Sequence, residues 1–226
     1  KSAPLRTVSK NINDTVIGYV TSEASLSKVR GCYSPQEHLY LLAFPTTKLT
    51  FCFDLRAMLP DGSARVTKWT GINPRSMYSA VDGTLYIGKA GYLGTYTGYN
   101  DDTSAYSMRW FSSWLDFGQP IQQSILKRII AAIFGVNSQT ITFRWGFNYV
   151  SNTRSQSEQF FSGNASSEYN SGEYGLAEFS SGSALNVLRI APGGMGQVVQ
   201  IGVEASINGY ALSIQQVDVF AKNGRI

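Results

Sequence analysis

The chain has 226 residues, enough for one large or two small domains; 15 % are charged, 13 % are aromatic, and the formal charge is +4. Tyr, Phe, Gly, Ser, Thr and Asn dominate, and runs of Ala, Glu, Lys and Leu are missing, so the composition is that of strands and turns and excludes a helical bundle. The mild positive excess is no argument for nucleic-acid binding, and no apolar run approaches the roughly 20 residues of a membrane-spanning helix.

The N-terminal stretch KSAPLRTVSKNIN lacks the apolar core of a signal peptide. After it, DTVIGYV and SKVRGCY read as one set of strands. HLYLLAFPTTKLTFCFD, from His38 to Asp54, is two apolar runs joined by a turn. A second version, GTLYIGKAGYLGTYTGYND, runs from Gly83 to Asp101. Leu39-Tyr40 corresponds to Leu85-Tyr86, 46 positions later, and Asp54 to Asp101, 47 positions later. A period of 40–50 residues with several short strands per repeat marks a β-propeller blade. HLYLLAF and LTFCF are apolar at both parities, so both faces of these strands are expected to be buried between neighbours. Pro60-Asp61-Gly62 and Asp82-Gly83 supply the turns. Two blades cannot close a ring, so the remaining blades are expected upstream of this chain or from another one.

LDFGQPI, Leu115 to Ile121, reads as a boundary. SILKRIIAAIFGV then reads as a long strand, because its Ile and Phe content outweighs its Ala and Leu. In TITFRWGFNYV, Ile141, Phe143, Trp145, Phe147 and Tyr149 share one face, the alternation of a half-buried strand. Residues 151–183, rich in Ser, Gly, Asn and Glu with scattered rings, are too long for an ordinary connection and read as an arm held by a partner. Phe160, Phe161, Tyr169, Tyr174 and Phe179 are its candidate interface residues. Further on, Val199, Ile201, Val203, Ala205 and Ile207 share a face. Asn208-Gly209 is read as a two-residue hairpin turn, and the odd step from Ile214 to Val217 as a β-bulge near Gln215-Gln216. The fold class expected is therefore all-β: residues 1–118 as two to three blades' worth of a partial β-propeller, and 119–226 as an antiparallel β-sandwich.

Chemistry is sparsely signalled. The one histidine, His38, precedes a strand with no nucleophile elbow beside it. Asn100-Asp101-Asp102 lacks the alternate ligands and distal Glu of a calcium loop. Asp54, Asp61, Asp82 and Asp116 sit at turns or strand ends, and DGSARVTKW departs from a sialidase Asp-box in both its Ser and its Trp spacing. The glycine runs at Gly91–Gly94 and Gly193–Gly196 do not join a strand to a helix, so neither is a phosphate loop. Cys32 and Cys52 read as two apolar thiols in a reducing compartment. No catalytic residue, metal or cofactor is expected. Lys127, Arg128 and Arg144 are the candidates for touching phosphates, with a solvated strand face as the plainer reading.

The stretches HLYLLAF, TFCFDLR, GTLYIGKAGYLGTYTGYND, YSMRWFSSWLDFG and QVVQIGVEASINGYALSIQQVDVFAKNGRI together resemble the nozzle or tail-hub proteins of short-tailed bacteriophages, of the tail tubular B and packaged-DNA stabilisation types. The likeness runs from about Val29 to the end. It implies a non-enzymatic virion component, assembled in the host cytoplasm and located in the tail. Such proteins form a six-fold ring that encloses the DNA ejection channel and docks adaptor, fibre or spike proteins. Family members are usually longer, with most of the propeller upstream. A channel passing double-stranded DNA should avoid dense phosphate contacts, because each one adds affinity. The alternative is a carbohydrate-binding receptor-recognition protein, in which Trp69, Trp110, Trp114 or Trp145 stack on sugar rings.

Overall fold

The computed structural model describes residues 7–118, 121–135, 139–160 and 184–224. The side chains of Phe160, Ala184 and Leu185 lie outside that description. The described fold is mostly antiparallel β-structure with one short α-helix. It divides into two compact units, Lys1–Thr97 and Gly98–Ile226.

The first unit opens with the helix α1, Asn13–Ser22, between 3₁₀ turns at Lys10–Ile12 and Leu26–Lys28. Here the structure corrects the sequence reading of DTVIGYV as a strand. Ile12, Val16 and Tyr19 recur at helical spacing, and all three pack on the core around Phe44 and Phe51. Asp14 in the first turn suits the positive end of the helix dipole. A ten-residue helix is marginal alone, so this packing is what holds it.

Four strands follow as a meander: β1 (Arg30–Ser34), β2 (Leu39–Phe44), β3 (Leu49–Met58) and β4 (Ala64–Trp69), paired in that order. A second meander contains β5 (Ser76–Ser79), β6 (Leu85–Lys89) and β7 (Tyr92–Thr95). The 46-residue repeat is therefore a repeat of structure: Leu39 and Leu85 open equivalent strands, opposite Ser34 and Ser79. Its signature extends upstream to Tyr33-Ser34 and Tyr78-Ser79. It does not extend to Asp101, which lies beyond β7 and bridges Ser104 in the second unit.

The two meanders share one core. Leu39, Leu41 and Cys52 from the first pack with Leu85 and Ile87 from the second. The opposite face of β2 and β3 presents Phe44, Leu49, Phe51 and Phe53, as apolarity at both parities requires. The helix, not another sheet, packs on that face: Tyr19 meets Phe51 edge-on with centroids 5.3 Å apart and Phe44 at 5.9 Å.

The second unit begins with β8 (Tyr106–Phe111), which pairs with β14 (Val199–Ile207). That pairing places the division of the chain at Thr97/Gly98 rather than at residue 118. One sheet runs β11 (Val150–Phe160), β10 (Gln139–Phe147), β14, β8. In the other, β9 (Ser124–Gly135) is central. Along its whole length it pairs with β15 (Leu212–Asn223); its remaining edge is shared by β12 (Ala184–Ile190) and β13 (Met195–Gly196). Both sheets feed one apolar cluster, with Leu126, Ile129, Ala131 and Ile133 from β9, Ile141, Phe143 and Trp145 from β10, and Val199 to Ile207 from β14.

Several expectations are met here and three change. SILKRIIAAIFG is a strand, and its ladder with β15 carries the bulge at Gln215. A second bulge, at Lys127, lets Leu126 and Ile129 both reach the core although they are an odd step apart. The alternating face of β10 stops at Phe147, because Asn148 and Tyr149 take φ of 51° and 66° and turn the chain into β11. Residues 151–160 are accordingly strand, paired residue for residue with β10, not loop. The rest of the expected arm, 161–183, lies outside the described residues. Asn208-Gly209 does not make a hairpin: both edges of β14 are filled, by β10 and β8, so the chain leaves for the other sheet and pairs with β9. Among the described residues no sheet closes on itself.

Candidate functional site

Of the interface residues expected on the arm, Phe161, Tyr169, Tyr174 and Phe179 lie outside the described residues. Phe160 ends β11 opposite Gln139, and its side chain is not among those described.

The three candidate phosphate-facing residues do not meet. Lys127 and Arg128 stand on the outward face of β9, at and beside the bulge. The Arg128 guanidinium lies over the Phe220 ring, 4.6 Å from its centroid. Arg144 stands on the outward face of β10, and the core shared by the two sheets separates it from the other pair. Its Nε donates to Glu204 Oε2 at 2.6 Å. Arg109 Nε approaches the other carboxylate oxygen at 3.4 Å. Arg144 is thus committed to an ion pair within its own sheet. Sequence reading missed Glu204; the signal was a carboxylate at an outward parity of VQIGVEASI, where antiparallel pairing sets it diagonally from Arg144.

The acidic residues at strand ends act locally. Asp61 accepts from the Ser63 N–H and hydroxyl, Asp82 from the Thr84 N–H and Asp116 from the Gly118 N–H, each closing an Asx turn. The two Ser63 bonds hold the Asp61 carboxyl below its usual range. Asp54 is lowered chiefly by the side-chain bond from Arg56, whose Nη2 lies 2.7 Å from Oδ2. His38 sits exposed in the β1–β2 turn with φ of 52°. Both cysteines are free thiols; Cys52 is buried, and burial pushes it up to about 11.

The tryptophans divide. Trp145 is core, and its Nε1 donates to the Gly193 carbonyl at 3.0 Å. Trp114 packs on Tyr149. Trp110 is 46 % exposed on the edge strand β8. Trp69 stacks on Tyr96 with rings 13° from parallel. Near Tyr96, the β1–β2 turn, the β5–β6 turn and the end of β7 enclose a shallow cleft of about 340 Å³, lined by Gln36, Glu37, Thr84, Thr95, Tyr96 and Thr97. Gly83, at φ of 89°, gives it its floor: a Cβ there would run into the Gln36 side chain.

No protein-family model matches the chain, and no curated protein is found similar to it.

Proposed function

We propose that this chain is a structural component of a short bacteriophage tail. In this reading its copies form a six-membered ring, the nozzle, around the channel through which DNA leaves, and dock adaptor and fibre or spike proteins. The observation that carries this reading is the tandem pair of β-meanders, repeated at 46 residues and packed face to face through Leu39, Leu41, Cys52, Leu85 and Ile87, as adjacent blades of a propeller pack. The second meander carries Tyr78 and Leu93, 61 % and 67 % exposed, at outward positions beside Tyr86; a further blade would seat there. The second unit, two antiparallel sheets over one core, takes the part of the C-terminal β-sandwich.

Sedimentation of the purified chain tests the reading. The expected result is a defined species at six times the chain mass, ring-shaped when imaged. A monomer at all concentrations that binds glycans overturns it. The cleft beside Tyr96 favours that second reading, because hydroxyls, an amide, a carboxylate and a ring around a shallow hollow suit a saccharide. Loss of glycan binding in Tyr96→Ala would then assign the cleft.

A further inference from the structure

We propose that the outward face of the sheet formed by β12, β9 and β15 is the docking surface for an acidic, aromatic segment of the same chain, Glu168 to Phe179. A strand that faces solvent alternates apolar with polar residues, whereas β9 is apolar on both faces. Inward it places Leu126, Ile129, Ala131 and Ile133 in the core; outward it places Ile130, Ala132 and Phe134. Cross-strand neighbours enlarge the outward patch. Val187 of β12 stands opposite Ala132, and Phe220 of β15 opposite Arg128. Phe134, Val187 and Phe220 are 41 %, 53 % and 42 % exposed.

The patch is framed by cations. Arg128, Arg189 and Lys222 share the face, and Lys127 bulges beside it, all four exposed. Among the described residues of this face one carboxylate stands against them, Asp218, which accepts from Gln216 Nε2 at 2.7 Å. What fits this surface carries rings and negative charge together. The sequence holds such a segment: Glu168-Tyr169, Glu173-Tyr174 and Glu178-Phe179 recur every five positions, and no Lys or Arg occurs from 161 to 183. A nucleic acid would engage the cations and leave Ile130, Phe134 and Val187 without partners. From Arg128 to Phe134 the face is about 20 Å long.

The tether favours the chain's own segment over one from another molecule. Phe179 lies five positions before Ala184, where β12 begins, and β12 carries Val187 and Arg189 into the face. A short connection gives an effective concentration on the order of millimolar, which a free competitor must exceed. The proposal stands whether or not the chain forms a ring.

Carbodiimide coupling of carboxylates to amines tests it on the full chain, in an equal mixture of ¹⁴N- and ¹⁵N-labelled copies. The expected products join Glu168, Glu173 or Glu178 to Lys127 or Lys222 within one isotope class. Their yield should fall at least about threefold in high salt, which screens the attraction, and in Arg128→Gln/Arg189→Gln. It should fall likewise in Tyr169→Ser/Tyr174→Ser/Phe179→Ser, which leaves every described residue unchanged. Absence of these products, products of which about half join ¹⁴N to ¹⁵N as random coupling between copies gives, or yields unmoved by both sets of substitutions overturn the proposal. So does a DNA duplex that blocks coupling in the wild-type chain and binds the Arg128→Gln/Arg189→Gln chain poorly.

Discussion

Glu204 receives two guanidinium groups on the outward face of its sheet, and they are unequal. Arg144 is one-third exposed and donates at 2.6 Å; Arg109 is 65 % exposed and stands 3.4 Å away. Exposed pairs contribute little, whereas removing one partner of a sheltered pair strands the other. Glu204→Gln should therefore destabilise by about 1–3 kcal/mol and Arg109→Gln by less than about 1 kcal/mol, read from denaturant midpoints. Cys52 supplies a pH prediction. Burial raises its thiol from the ordinary 9.0 to about 11, so the unfolded chain ionises first. The stability it contributes is full below 9.0 and declines as pH rises from there to about 11. Denaturant midpoints should fall across that window, and fall less steeply in Cys52→Ala; equal slopes would refute the assignment. At this scale the sequence was partly legible. Buried thiols and turn-closing aspartates follow from neighbours a few positions away. The Arg144–Glu204 pair is 60 positions apart and needed the register of β10 on β14.

At the scale of elements, α1 is the piece whose identity depends most on its surroundings. DTVIGYV is rich in β-branched residues and carries a mid-helix glycine, both poor for a helix. It is a helix because Ile12, Val16 and Tyr19 then face Phe44 and Phe51 together. Tyr19→Ala should cost about 2–4 kcal/mol by uncovering those rings. Gly18 has open space around its Cα, so Gly18→Ala should stabilise by about 0.5–1 kcal/mol. Thermal unfolding checks both, and a destabilised Gly18→Ala would mean that the helix is not formed. Elsewhere the period-2 pattern located β10 and β14 well, because each buries one face in the core, and Ile and Phe content marked β9 as a strand. It failed after Ile207. Asn-Gly is a hairpin turn only if the next strand finds a vacant edge beside the last, and β8 already occupies it.

The whole molecule is two β-units in series, and their division falls where pairing partners change. By position YSMRWF belongs with the strands of the first unit, yet its partner is β14, about a hundred residues on. Nothing in a linear reading links the two. The tail-ring reading belongs to this scale, and so does its test: a six-copy species in solution supports it. Substituting Tyr78 and Leu93 by Ser should reduce that assembly if the outward face of the second meander is a contact, while the free energy of unfolding changes by less than about 1 kcal/mol, since both side chains are mostly exposed.

The amino-acid sequence by itself determined the all-β character, the 46-residue repeat, the strand β9, the core faces of β10 and β14 and the bulge at Gln215, because each is written in residues that are close neighbours along the chain. Only the tertiary structure decided that a helix covers the first meander, that β8 joins the second unit and that β14 hands the chain to the other sheet. Those outcomes depend on which sheet edges and apolar faces remain unfilled once the other strands have paired, a competition that no local pattern records.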